Sequence, residues 1–201
     1  MTLADKFTSA RILLAPVFFV IYLLPRFFPS IFAVTPSAAE ESLRFIGAPW
    51  TVPVLWFIFV SSELTDMLDG IIARRRKEES DFGKLYDPFA DTLTQLTYFF
   101  CFVVDGILPS LLFLAVLYRE FSILFVRNLM LKKGITMGAR MGGKIKTVTY
   151  ITAAGLALLA SSVLRLGMDG GLYRILTMAA TVVFIISVVI AAISFFDYIS
   201  V

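Results

Sequence analysis

Four aspartates at fixed spacing hold the chemistry this chain can do. They read Asp66-x-x-Asp69-Gly70-x-x-Ala73-Arg74, then eight residues, then Gly83-x-x-x-Asp87-x-x-x-Asp91. On a helix, Asp66, Asp69, Gly70 and Ala73 fall at i, i+3, i+4 and i+7, which is one face. Gly83, Asp87 and Asp91 step by four and share a face of their own. Two facing helices would bring four carboxylates to one point, with small residues leaving space beside them. That geometry suits a pair of divalent cations. The chain has no histidine and a single cysteine, Cys101 in an apolar run. Histidine bases, His-containing zinc sites and Ser-His triads are therefore excluded, as is an intrachain disulfide. A metal here must be bound by oxygen, which points to magnesium, manganese or calcium.

An aspartate in mid-bilayer costs roughly 2.5–3.5 kcal/mol on insertion scales, and four cost on the order of 10 kcal/mol. Cations would offset that cost and the mutual repulsion. Two of them ~3.5–4 Å apart would clamp a phosphate or pyrophosphate and stabilise its attacking and leaving oxygens. Gly70 and Ala73 would let a bulky ligand approach the backbone, and Arg74 adds a positive fork for phosphate oxygens. The spacing thus predicts metal-assisted phosphoryl chemistry, with a carboxylate or a cation-activated water as base. A second, basic set comprises Arg119, Arg127, Arg140, Lys144 and Lys146. Arg119 sits halfway along an apolar run and needs a partner or a wet cavity. We read Arg119 and Arg127, two turns apart, as anion ligands. Glu120 is expected to pair away from Arg119, because adjacent helical positions diverge. Glu63, one turn before Asp66, either supports the aspartates or bonds a neighbouring helix.

Long helices must position these groups. The 201 residues are 59% hydrophobic and 16% charged, against roughly 25% charged in a soluble domain. The apolar residues come in blocks, so we expect an all-α integral membrane bundle forming one domain over residues 1–201. A polar lead (1–11) precedes a segment from Ile12 to Leu24. That segment resembles a signal peptide, but its aromatic run continues past Arg26 and we expect no cleavage. After a connection at 29–48, further segments run from Trp50 to the Asp66 motif, Leu85 to Val104, Leu108 to Leu131, Thr147 to Leu164 and Leu172 to Phe196. Asp105-Gly106 and Gly167–Gly171 read as turns, and 132–146 as a Gly- and Lys-rich loop. Six spans result, each near the ~20 residues a bilayer needs. Twelve basic residues fall at the N-terminus and in the loops after spans two and four, against four on the other side. The positive-inside rule then puts both termini and the aspartates in the cytoplasm.

The pattern from Asp66 to Asp91 resembles the signature of the CDP-alcohol phosphotransferases at every fixed position, including the eight-residue gap. The resemblance implies a six-helix membrane enzyme of the inner (cytoplasmic) membrane, usually a homodimer, that uses two divalent cations (Mg2+ or Mn2+). Carried over, Asp66, Asp69 and Asp87 resemble the metal ligands, and Asp91 a ligand, the general base or both. Asp66, Asp69, Gly70, Ala73, Arg74 and Gly83 match positions that hold the CDP moiety. Phe7-Thr8-x-x-Arg11-Ile12, Arg119-Glu120, Arg127 and Gly142-Gly143-Lys144-Ile145-Lys146-Thr147 resemble members whose acceptor is sn-glycerol 3-phosphate. The implied substrates are CDP-diacylglycerol and sn-glycerol 3-phosphate, with Arg119, Arg127, Arg140, Lys144 and Arg11 on the acceptor's phosphate. The same chemistry would serve an inositol phosphate acceptor, or CDP-choline with diacylglycerol. A metal-ion transporter would need polar residues through every span, which segments five and six lack. Membrane lipid is the expected surrounding, and no role falls to nucleic acid.

Overall fold

A computed structural model describes residues 3–27, 49–76, 83–134, 141–168 and 170–199; the side chains of 3–6, 26–27, 67–76, 84, 141 and 196–199 lie outside the description. The described residues form six α-helices and no strand: α1 (Leu3–Phe27), α2 (Thr51–Arg76), α3 (Gly83–Val104), α4 (Ser110–Lys132), α5 (Met141–Arg165) and α6 (Gly170–Ile199). Apolar runs of this length satisfy their backbone groups internally only as helices. The connection expected at 29–48 falls outside the described residues. By length and composition, three helices can cross a membrane, within Phe7–Pro25, Gly142–Arg165 and Gly170–Phe195. The other three carry the ionisable residues singled out above, Asp66 on α2, Asp87 and Asp91 on α3, and Arg119, Glu120 and Arg127 on α4.

Two helix ends are set by glycine in the left-handed region. Gly106 (φ +71°) follows α3, and its N–H bonds the Val103 carbonyl at 3.0 Å while the N–H of Ile107 bonds that of Phe102 at 2.9 Å. Gly167 (φ +65°) follows α5 with the same pair of bonds, to Leu164 and from Met168 to Val163, both 3.1 Å. Both are Schellman endings, in which a Cβ would be strained. Two boundaries differ from expectation. Helix α1 starts at Leu3, so the polar lead is helical and Thr8 and Arg11 share a face one turn apart. Helix α5 starts at Met141, which moves Gly142 to Lys146 from the expected loop into its first turns.

Helix α1 packs against α2 and α3, and α5 packs along α6. Aromatic rings fill the middle: Phe18 lies 4.6 Å from Tyr98, Tyr22 5.6 Å from Phe102, and Phe99 4.8 Å from Phe184 and 5.2 Å from Tyr150, between ring centroids. Ala153, Ala157 and Ala160 on α5 and Ala180 and Ala191 on α6 are buried. Small residues let helix backbones approach where lipid gives no hydrophobic drive for association. Cys101 is buried among these apolar groups.

A polar knot closes one end of the bundle. The buried Arg165 donates to Ser161 Oγ (3.1 Å), Thr51 Oγ1 (3.0 Å) and the Tyr22 carbonyl (2.9 Å). Its guanidinium also stacks over the Tyr22 ring at 4.4 Å, and the Tyr22 hydroxyl donates to Asp105. One side chain thereby ties α1, α2 and α5. Arg165→Met is expected to destabilise by at least about 2 kcal/mol, by stranding buried acceptors, and Tyr22→Phe by about 1 kcal/mol. Thermal unfolding in detergent measures both; a Met variant that melts like the parent would show the knot to be idle.

Candidate active site

At the other end of α1, Thr8 and Arg11 meet the aspartates. Thr8 Oγ1 donates to Asp87 Oδ1 at 2.6 Å. One turn on, Arg11 Nη1 donates to Asp66 Oδ1 at 2.5 Å and also to Asp91 Oδ1. Ser9 and Tyr86 hydroxyls add a contact at 3.2 Å. The i, i+3 spacing of Thr8 and Arg11 thus reaches both aspartates of α3 and one of α2. Arg11 is buried, whereas the Asp66 and Asp91 side chains keep 41% and 39% of their surface. The carboxylates are braced from behind and open to a ligand in front. Arg11, expected beside an acceptor phosphate, lies instead on these carboxylates.

Asp91 also lines a cavity of about 240 Å³ bounded by α3, α4 and α5. Pro88, Asp91, Thr92 and Gln95 come from one face of α3; Arg119, Glu120, Ile123, Leu124 and Arg127 come from one face of α4. The first turns of α5 add Gly143, Lys144, Lys146 and Thr147. An acidic residue on one wall therefore faces a set of cations on the others. The N-terminus of a long helix adds its own positive end to that side.

Glu120 sits within the cationic wall. Its Oε1 accepts from Arg119 Nη1 at 2.9 Å, and both its oxygens accept from Lys146 Nζ at 3.0 Å. The Tyr150 hydroxyl lies 3.2 Å from Oε1, and Arg119 Nε donates to the Ala191 carbonyl on α6 at 3.1 Å. Glu120 does pair with a basic residue elsewhere, Lys146 on α5, as expected; what is corrected is that it bonds Arg119 as well. Cβ vectors of adjacent residues diverge, but the arginine arm is long enough to bend back to the neighbouring carboxylate.

The structure brings Asp66, Asp87, Asp91 and Arg11 together, and Arg119, Arg127 and Lys144 around the adjoining cavity. Gly83 is the first residue of α3. The backbones of Asp69, Gly70, Ala73 and Arg74 continue α2, but their side chains lie outside the described residues, as does all of Arg140. Thr92 and Gln95 enter the site without having been named, and Thr8, Lys146 and Thr147, named only within their sequence segments or the basic set, enter it without having been given a role. Thr8 had a signal in its place one turn before Arg11, and Lys146 in its basic neighbourhood.

The donor set decides whether a cation could bind here. Among the described residues no three Asp, Glu, His or Cys side chains form a metal-holding group, and the Asp69 side chain falls outside that set. The carboxylates present still fit a hard cation. Oxygens of Asp66 and Asp91, from two helices, converge on one positively charged nitrogen, and both retain an open side.

Comparison with known proteins identifies the family. The CDP-alcohol phosphatidyltransferase family pattern matches residues 1–193. The chain is 36% identical over 199 residues to the CDP-diacylglycerol–glycerol-3-phosphate 3-phosphatidyltransferase of Treponema pallidum, covering 98% of this chain and 88% of the relative. It is 30% identical over 157 residues to the Bacillus subtilis protein of the same name (78% and 76%). It is also 30% identical over 147 residues to a probable phosphatidylglycerophosphate synthase of Mycobacterium tuberculosis (73% and 65%). A carboxylate set braced by α1, a basic cavity beside it and a match along nearly the whole chain lead to one assignment: this membrane protein is a transferase belonging to the CDP-alcohol phosphatidyltransferase family.

Proposed function

We propose that the chain transfers the phosphatidyl group of CDP-diacylglycerol to sn-glycerol 3-phosphate, giving phosphatidylglycerophosphate and CMP. The observation that carries this reading is the double position of Asp91. It belongs to the carboxylate set and also lines the basic cavity, so a hydroxyl bound in that cavity lies beside a carboxylate. The named relatives support the choice of substrates.

In this reading the acceptor's phosphate is held by Arg119, Arg127 and Lys144, with Arg140 from the preceding connection. Charge-assisted hydrogen bonds from guanidinium forks suit a phosphate dianion better than a neutral alcohol. The acceptor hydroxyl attacks the phosphorus that carries diacylglycerol. A new P–O bond forms there, the P–O bond to the CMP oxygen breaks, and CMP leaves with that electron pair. Asp91 receives the hydroxyl proton. Asp66, Asp69, Asp87 and Asp91 would hold two divalent cations, Mg2+ or Mn2+, whose charge would neutralise the pyrophosphate and the leaving oxygen. Thr8 and Arg11 fix the orientation of Asp87, Asp66 and Asp91. Gly70, Ala73 and Gly83 leave room for the cytidine nucleotide, and Arg74 adds positive charge. The reading includes six spans in the cell's inner membrane, both termini and the site on the cytoplasmic side, and a homodimer. The asymmetry of the basic residues supports that orientation.

Purified protein given CDP-diacylglycerol should release CMP with sn-glycerol 3-phosphate well above the rate with buffer, inositol 1-phosphate or glycerol. The proposal fails if another acceptor supports turnover and this one does not. Asp91→Asn should lower CMP release by roughly 100-fold or more, the range of a lost general base, in protein that still melts cooperatively; near-normal release would remove Asp91 from proton transfer. Chelation should abolish activity, and added Mg2+ or Mn2+ should restore it. Turnover indifferent to chelator would defeat the cation assignment.

A further inference from the structure

Among the described residues, Glu120 is the one carboxylate in the cationic part of the cavity, and the reaction proposed above gives it no task. It lies at the middle of α4, is 3% exposed, and gathers four hydrogen bonds from three residues on two helices. A charge buried this deeply costs free energy unless it is fully partnered, and here it is. Its two cationic partners, Arg119 and Lys146, both line the cavity. We propose that Glu120 is a positioning residue that holds Arg119 and Lys146 as a fixed pair of donors and so makes the cavity selective for a phosphate-bearing acceptor. This rests on the reading that the acceptor carries a phosphate.

The geometry supports positioning over charge balance. Arg119 uses Nε on the Ala191 carbonyl and Nη1 on Glu120, which pins the plane of the guanidinium between α4 and α6. The rest of its fork remains for an anion at a set angle. Lys146 is bound by both Glu120 oxygens and lies 4.9 Å above the Tyr150 ring, so a normally flexible ammonium arm is held at one place. Without the carboxylate, two like charges on neighbouring helices would repel and their side chains would disperse. The two roles predict opposite signs. A carboxylate that acted only through its charge would repel phosphate, and neutralising it would tighten acceptor binding. A carboxylate that aligns donors would weaken acceptor binding when neutralised.

The full-length protein and its Glu120→Gln, Lys146→Met and doubly substituted variants would be assayed for CMP release with sn-glycerol 3-phosphate and, separately, with glycerol. In E120Q the acceptor KM should rise roughly tenfold or more, the equivalent of one misaligned charge-assisted hydrogen bond. The KM for CDP-diacylglycerol should stay within about twofold, and the loss with sn-glycerol 3-phosphate should exceed the loss with glycerol by about tenfold. The double variant should exceed K146M in acceptor KM by less than E120Q exceeds the parent, because the share of Glu120 that acts through Lys146 is already lost while Arg119 still loses its alignment. A fall or no change in acceptor KM, additive effects, or equal losses with both acceptors would overturn the proposal. If E120Q does not melt cooperatively, Glu120→Asp replaces it, with a smaller rise of the same sign expected and a fall again overturning the idea. Wild-type protein inactive with sn-glycerol 3-phosphate defeats the proposed function itself. The same variants then test Glu120 with whichever phosphorylated acceptor releases CMP, and turnover of unphosphorylated alcohols alone defeats both.

Discussion

Charge buried among helices must meet opposite charge or a dense set of hydrogen bonds, and three sets of described residues meet that demand. Arg11 meets Asp66 and Asp91, Glu120 meets Arg119 and Lys146, and Arg165 meets two hydroxyls and a carbonyl. An unpaired member of any set would cost several kcal/mol in an apolar interior. Each set joins different helices: α1 to α2 and α3, α4 to α5, and α5 to α1 and α2. The apolar contacts between them are numerous but permissive, since one aromatic or alanine seam can slide on another. The polar knots cannot slide, so they fix the register of the bundle. Arg11 and Tyr22 lie eleven residues apart on α1, about 16 Å at the helical rise. One helix thereby carries both the site's bracing and the opposite closure.

The aspartate set was legible because helical spacing is written into the chain. Asp87 and Asp91 had to share a face of any helix containing both, and they do. The cavity was partly legible, since Arg119 in an apolar run demanded anionic company or water, and the structure supplies Glu120 and a cavity together. What sequence reading missed came from boundaries and arm length. Treating residues 1–11 as a polar lead hid that Thr8 and Arg11 lie on one helical face aimed at α2 and α3. Treating 132–146 as a loop hid that Lys144 and Lys146 stand in the first turns of α5. The rule that neighbours on a helix diverge holds for Cβ atoms. It fails for a guanidinium several bonds away. Six helices were expected and found among the described residues, while only three are apolar enough to be read as spans by composition. Of the other three, α3 and α4 carry ionisable residues of the site along their described lengths.

The helix pair that carries the lysines of the cavity meets closely at a place with no chemistry at all. Gly142, on the first turn of α5, lies against Ser194 near the end of α6; a Cβ there would come within 3.2 Å of the serine Cβ and Oγ. That is tighter than ordinary packing, and a side chain there would require Ser194 to give by a few tenths of an ångström. The buried alanines Ala153, Ala157 and Ala160 continue the same close approach along the helix pair. Lys144 and Lys146 lie within the next turn or so after Gly142 on the same helix, so any displacement there would carry both lysines with it. Arg119 is anchored separately, by its bond to Ala191 on α6. The distance from Arg119 to Lys146 is therefore set by how closely α5 and α6 pack, and Glu120 can bridge the two only while that packing holds. Small residues on one helix pair thus determine whether the cations of the cavity act as a unit.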